Sequence, residues 1–338
     1  MLRNSKVLHN KYDRETLAKK LAAEEFSRRT ISFYRYTTMD KVEALRDRLY
    51  EEWSELGCLG RVYLAREGIN AQMSIPEPQL EDFLLKLNSF LPDIRIKYAI
   101  EDQSASFLKL IVRIKKKIVA DGLEDESFDT ANVGKHLNAK EFNDAMALKD
   151  AVVVDMRNSY ESEVGHFKGA LLPQALSFKE ELPVVKDMLA GKEKQKILLY
   201  CTGGIRCEKA SAWLKHEGFE DVNQLHGGII DYAKQVSQDN LENKFVGKNF
   251  VFDERLGERI SSEVVSHCHI CGVKADMQKN CSLQSCHTLF VYCKDCGEEL
   301  DGHCSVECQQ GIPPSDQSRK SALSAKANPR KVKPIREV

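Results

Sequence analysis

The sequence predicts an α/β protein in three parts: a small α+β domain, an open parallel-sheet α/β domain after it, and a short cysteine-rich C-terminal region. Three observations carry this. From about Glu25 to Asp121, strand-like and helix-like stretches follow in the order of an antiparallel sheet with helices on one face. From about Gly134 to Gln238, short runs that are apolar on every residue alternate with helices, the pattern of a parallel sheet covered on both sides. Between Cys268 and Cys308 stand eight of the eleven cysteines.

In the first part, "TISFYRYT" reads as a strand. "DKVEALRDRLYEEWSELG" places Val42, Leu45, Leu49, Trp53 and Leu56 at helical spacing, with Gly57 as the stop. "GRVYLAREGINAQMSI" reads as two short strands around Arg66-Glu67-Gly68, and "EPQLEDFLLKLNSF" as a second helix. "DIRIKYAI" and "FLKLIVRIKKKIV" supply the last strands. The order β-α-β-β-α-β predicts a ferredoxin-like sandwich. Its final stretch carries Arg113, Lys115, Lys116 and Lys117 with no acid until Asp121. Those residues are either a nucleic-acid-contacting edge or a solvated strand end.

The division expected is an N-terminal extension over 1–24, the ferredoxin-like domain over 25–121 and the parallel α/β domain over 134–238. The cysteine-rich region follows over 239–310, and a basic, disordered tail over 311–338. "GLEDESFDTAN" is the first linker. From Ser315 onward there are seven Lys or Arg and two acids. Over the whole chain, 50 Lys and Arg cancel 51 Asp and Glu, so overall charge points to no polyanionic partner. No run has the apolar length of a secretory signal or a membrane span, and a cytoplasmic protein is expected. Cysteines in that compartment point to metal or catalysis rather than disulfides.

"KILLYCTGGIRCEKASAWLKHEG" opens as a buried strand and turns into an amphipathic helix closed by Gly218. In a parallel sheet, chemistry sits at the carboxyl edge of the strands, and Cys201 is the first residue off this one. The loop Thr202, Gly203, Gly204, Ile205, Arg206 bends the chain toward the helix that begins at Cys207. Backbone N–H groups, a positive helix end and Arg206 would face the sulfur, predicting an exposed thiolate of lowered pKa. A merely buried cysteine is the plain alternative. Cys207 is either a resolving thiol or a helix-face residue.

With "VVVDMRNSYESEVGHFKGA" before it and "LHGGIIDY" after it, this segment resembles the rhodanese domain. The resemblance implies a six-residue cradle loop with the active cysteine at Cys201. Asp155 and Arg157 match the family's Asp-x-Arg pair, and Gly165-His166 with Gly169-Ala170 its turn. For Asp155, Arg157 and His166 a bracing role is the expectation. Together with "FYRY", "REGINAQ" and the cysteine-rich end, the chain resembles the tRNA uridine hydroxylase family over roughly Phe33 to Gln310. This implies an oxidoreductase of monooxygenase type that uses molecular oxygen to convert the wobble uridine of the tRNA anticodon to 5-hydroxyuridine. Thiolate addition at C6 of an electron-poor uracil would make C5 nucleophilic. The alternatives are a sulfurtransferase carrying a persulfide on Cys201, and a non-catalytic adaptor. No Gly-x-Gly-x-x-Gly fingerprint announces a nicotinamide or flavin, and no two-histidine, one-carboxylate iron site stands out. His136 and His216 read as surface residues.

The eight clustered cysteines fall into short pairs: Cys268 with Cys271, Cys281 with Cys286, Cys293 with Cys296, and Cys304 with Cys308. Two such pairs complete one tetrahedral zinc shell, so two structural zinc ions are expected, in preference to an iron–sulfur cluster. Spacing leaves open whether pairs combine with neighbours or in crossed order. His267, His269, His287 and His303 are adjacent candidate ligands.

Overall fold

The computed structural model describes residues 10–100, 106–123 and 128–314. Most of the basic tail and parts of the N-terminal extension and first linker lie outside them. The chain divides into two compact units, one built on residues 1–122 and one on most of the remainder.

In the first unit, α1 (Arg14–Ala22) precedes β1 (Arg28–Tyr36), α2 (Val42–Glu55), β2 (Leu59–Ala65), β3 (Gly68–Pro76), α3 (Leu80–Phe90), β4 (Lys97–Tyr98) and β5 (Leu110–Ile114). The sheet order is β4-β1-β3-β2-β5. β3 runs antiparallel to both β1 and β2, and β4 is antiparallel to β1. The first four strands thus realise the ferredoxin-like order. β5 adds a fifth, edge strand parallel to β2. Alternation along β3 sends Ile69, Ala71, Met73 and Ile75 inward, where they meet Leu49 and Trp53 of α2 and Phe83 and Leu87 of α3. The Trp53 ring packs against Phe33 and Phe83, with centroids at 6.4 and 5.6 Å. Gly57, at φ 65°, takes the left-handed turn that ends α2.

The last strand is shorter than its sequence suggests. β5 closes at Ile114, so Lys115, Lys116 and Lys117 follow the strand instead of alternating along it. Arg113, Lys115 and Lys116 are exposed. Lys117 pairs with the buried Asp121 at 2.7 Å, which removes it from the basic patch. The acid that ends the basic run in sequence is also the one that neutralises its last member.

The second unit contains β6 (Lys135–Leu137), α4 (Ala139–Met146), β7 (Ala151–Asp155), α5 (Ser159–Ser162), β8 (Gly165–Phe167), α6 (Phe178–Met188), β9 (Lys196–Tyr200), α7 (Ile205–His216) and β10 (Asp221–Leu225). A further helix, α8 (Gly228–Gln238), follows. The sheet order β6-β10-β9-β7 is parallel throughout. β9 is central, and Ile197, Leu198, Leu199 and Tyr200 are all buried, as an all-apolar strand requires. α4 starts with a reciprocal capping box between Asn138 and Glu141.

The remaining strands are β11 (Phe245–Asn249), β12 (Glu258–Arg259), β13 (Met277–Asn280) and β14 (Leu289–Tyr292), with short helices α9 (Lys294–Glu299) and α10 (Val306–Gln309). β11 joins β8 to β12, both antiparallel, and β13 pairs with β14. The cysteines pack with Phe250, Phe290 and Val291 into two small clusters. No described helix is long and apolar enough to cross a membrane.

Candidate active site and tetracysteine centres

Cys201 leaves β9 at its carboxyl end, and the chain turns back within three residues into α7. Gly204 makes this turn at φ 97°, a conformation that costs a residue with a Cβ. Helix α7 consequently starts at Ile205, two residues before the helix expected at Cys207. Ile205 and Arg206 belong to its first turn, not to the loop. The early start brings successive amides round one atom. The Gly204 N–H donates to Cys201 Sγ at 3.1 Å, and the Arg206 and Cys207 N–H groups point to the same sulfur. Such a nest, at the positive end of a 12-residue helix, is a receptor for an anion.

Cys201 is fully buried, which corrects the expectation of an exposed thiolate. The loop closes over the sulfur because its amides converge there. Burial alone raises the thiol's pKa. The Cys207 thiol, the Arg206 charge and the Cys207 and Arg206 amides outweigh it and hold Cys201 at about 5. Cys207, itself buried and beside a thiolate, is pushed well above its ordinary range and keeps the proton. The two thiols are free, one accepting a hydrogen bond from the other.

Arg206 is held by a residue the sequence did not single out. Glu161 takes both guanidinium nitrogens, Nη1 to Oε1 at 2.6 Å and Nη2 to Oε2 at 2.9 Å, and is itself fully buried. Thr202 Oγ1 lies 3.4 Å from both Arg206 Nη2 and Glu161 Oε2. Glu161 Oε1 also accepts the Asn158 N–H at 3.1 Å, at the start of α5. Only the fold shows that the same carboxylate clamps the cradle.

Asp155 and Arg157 do not face the sulfur. Arg157 pairs with both Asp155 oxygens at 2.8 and 2.7 Å and donates to the Gly165 carbonyl at 2.6 Å. Tyr200 Oη donates to Asp155 at 2.7 Å. Asp155 and Arg157 are both fully buried, where removing one partner of an ion pair costs about 3–5 kcal/mol. His166 Nδ1 contacts the Ser162 carbonyl at 2.9 Å. These contacts join β7, β8 and α5 to one another. His136 is a surface residue paired with Glu208, and His216 is exposed.

The "LHGG" segment acquires a reason. A Cβ on Gly228 would stand 2.5 Å from the Cys201 carbonyl oxygen and 2.6 Å from that of Thr202. Only glycine lets α8 approach the cradle so closely that the Ile229 N–H reaches Cys201 O at 3.0 Å. Gly228→Ala is expected to displace the cradle backbone and reduce activity at least ~100-fold, a scale that a misplacement of about 1 Å produces. Alkylation of Cys201 and turnover measured side by side check this, and an active Gly228→Ala enzyme would refute it.

In the cysteine-rich region the pairs combine in crossed order. Cys268, Cys271, Cys293 and Cys296 form one group and Cys281, Cys286, Cys304 and Cys308 the other, with all ligand atoms in each within 4.8 Å of one another. The Sγ atoms of Cys271 and Cys293 are 3.6 Å apart, those of Cys286 and Cys304 3.7 Å, and those of Cys304 and Cys308 3.6 Å. A tetrahedral ion with ~2.3 Å metal–sulfur bonds needs sulfurs ~3.8 Å apart, whereas a disulfide needs ~2.05 Å. The donor sets fit a metal ion each. Among the described residues no histidine joins either group. His269 turns outward, its Nε2 on Glu163 and its Nδ1 accepting the Val291 N–H. The crossing follows from the β13–β14 hairpin: β13 leads from the first pair to the second, which lies in the turn, and β14 returns to the third, so the first and third pairs share the open end.

A parallel sheet with an anion-cradling loop after its central strand defines a rhodanese-type domain, here with an appended region whose two tetracysteine groups could each hold a metal ion. The rhodanese-like domain family matches residues 138–235, the UPF0176 acylphosphatase-like domain residues 28–118, and the rhodanese C-terminal family residues 246–309. A protein of Leptospira interrogans named tRNA uridine(34) hydroxylase is 57% identical over 95% of this chain and 88% of its own length. One of the same name from Hamiltonella defensa is 46% identical over 96% and 93%. A rhodanese-like domain protein from Staphylococcus aureus, of known crystal structure, aligns at 21% identity and TM-score 0.24, covering 29% of this chain and 90% of that one. The chain belongs to the tRNA uridine(34) hydroxylase family.

Proposed function

We propose that the protein is a cytoplasmic tRNA-modifying enzyme that hydroxylates C5 of the wobble uridine, with molecular oxygen as co-substrate and Cys201 as nucleophile. The observation that carries the proposal is the amide cradle that keeps Cys201 ionised at neutral pH. The family name says what its relatives act on, and the cradle supplies chemistry suited to a uracil ring. Thiolate attack at C6 forms an S–C6 bond and moves the C5=C6 electron pair toward O4, leaving C5 electron-rich. The sulfur is covered, so turnover requires the cradle to open enough to admit a planar base unstacked from the anticodon.

Arg113, Lys115 and Lys116 on the exposed edge of the first unit suit phosphate contacts, and Lys117 is excluded by its pairing with Asp121. We assign zinc to both tetracysteine groups, where closed four-thiolate shells make the ions structural. The Glu163–His269 contact and the Gln278 Nε2 bond to the Tyr160 carbonyl at 3.0 Å tie that region to α5, which carries Glu161.

The same cradle would hold a persulfide, and that favours sulfur transfer as the second reading. Incubation with unmodified tRNA under ¹⁸O₂, followed by nucleoside mass spectrometry, separates the two. Labelled 5-hydroxyuridine at the wobble position is expected. Thiocyanate release from thiosulfate and cyanide, with the tRNA unchanged, would replace the first reading by the second.

A further inference from the structure

Glu181 has no part in the cradle yet lies beside it. It sits in α6, is fully buried, and neither carboxyl oxygen has a hydrogen-bond partner. Its electrostatic neighbours are Arg206, Asp155, Glu161 and the Cys201 sulfur. The cations nearby are committed elsewhere, Arg206 to Glu161 and Arg157 to Asp155. An isolated carboxylate in such a place is strongly disfavoured, so the group takes up a proton instead. Burial, opposed only by Arg206 and reinforced by three negative neighbours, holds its pKa well above the usual carboxylate range. A neutral carboxyl with both oxygens unpartnered is one O–H donor and one acceptor waiting for a ligand.

We propose that Glu181 is a second catalytic residue, donating a hydrogen bond to O4 of the wobble uracil as Cys201 adds to C6. This inference rests on the proposed function. In the step it describes, the S–C6 bond forms, the C5=C6 π pair shifts, and the C4 carbonyl becomes an enolate whose charge sits on O4. Glu181 keeps its proton and stabilises that charge. An ionised carboxylate would repel it, which gives the desolvated environment of α6 a chemical purpose. Solvent can then protonate C5, and loss of the original C5 proton with expulsion of the thiolate restores uracil. No oxidant enters this cycle.

The test is therefore anaerobic. Wild-type protein is incubated in D₂O with unmodified tRNA bearing uridine at the wobble position, and deuterium at C5 is read by nucleoside mass spectrometry. Wild type is expected to exchange C5–H. Glu181→Leu is expected to lose at least ~100-fold of that rate, the scale of removing one oxyanion donor, while its melting temperature rises because an unpartnered buried polar group is gone. Glu181→Gln, which keeps an N–H donor, should stay within about tenfold of wild type. Should the leucine variant fail to fold, Glu181→Met replaces it. Exchange at the wild-type rate in a folded leucine or methionine variant would overturn the assignment, as would a glutamine variant as slow as leucine. Absence of exchange in the wild type itself would overturn both this role and the nucleophilic role of Cys201.

Discussion

Replacing Cys201 by serine is expected to leave the protein folded and to lower wobble-uridine hydroxylation by on the order of 10³-fold or more, the scale of removing a nucleophile from an otherwise intact site. The amides that cradle the sulfur would still donate to the serine oxygen, so the loop keeps its shape. What is lost is the anion, because no arrangement of three N–H donors and one cation makes a serine hydroxyl ionise at neutral pH. Nucleoside mass spectrometry of tRNA treated with either protein measures the loss, and full activity in Cys201→Ser would remove the sulfur from the mechanism. The wild-type enzyme adds a pH signature of the same cause. Cys201 is depressed to about 5 against an ordinary 9.0, so the thiolate is present throughout the neutral range and is lost as pH falls through about 5. Iodoacetamide labelling of Cys201 should be flat from about pH 6 upward and half-maximal near 5. A midpoint near the ordinary value would show that the cradle does not hold an anion.

The full-length protein is expected to carry two zinc ions, and stripping both should unfold residues from about 265 onward. Structural zinc in small domains is worth about 10–16 kcal/mol, comparable to the whole stability of a typical domain at about 5–15 kcal/mol. The buried apolar residues of this region, chiefly Phe290 and Val291, are too few to replace that contribution. Because the shells are crossed, the variants are diagnostic. Cys293→Ser should release the ion shared with Cys268, Cys271 and Cys296 while leaving the other, and Cys281→Ser the reverse. Elemental analysis counts the ions, and limited proteolysis reports the unfolding. Iron in place of zinc, or loss of both ions from a single substitution, would contradict this arrangement. Loss of the first centre should also loosen α5 through Glu163 and His269, and with it the hold of Glu161 on Arg206.

Much of the site is legible in the sequence because strand, loop and helix each announce themselves locally. "KILLY" is apolar on every residue, Gly203 and Gly204 break it, and an amphipathic helix follows. That run alone places Cys201 at a sheet edge facing helix amides. Helix α2 was equally plain, from Val42 to the Gly57 stop. The errors have a common character. The pattern of the basic run continues the strand past Ile114, whereas in the fold Lys117 turns to Asp121, four residues on. The sequence pattern starts α7 at Cys207 and the fold starts it at Ile205, because nothing local shows that Gly204 takes a positive φ.

By itself the sequence determined the order of the elements, the cysteine at the mouth of β9 and the four thiol pairs, since each depends on neighbours within a few residues. Tertiary structure alone decided the depth of Cys201, the clamp of Glu161 on Arg206, the pressure of Gly228 on the cradle, the crossed pairing of the cysteines and the solitary carboxyl of Glu181. Each of these is a contact between residues far apart in the chain or a degree of burial. Burial and long-range pairing are set by how helices and strands pack, and no local pattern of residue types encodes them.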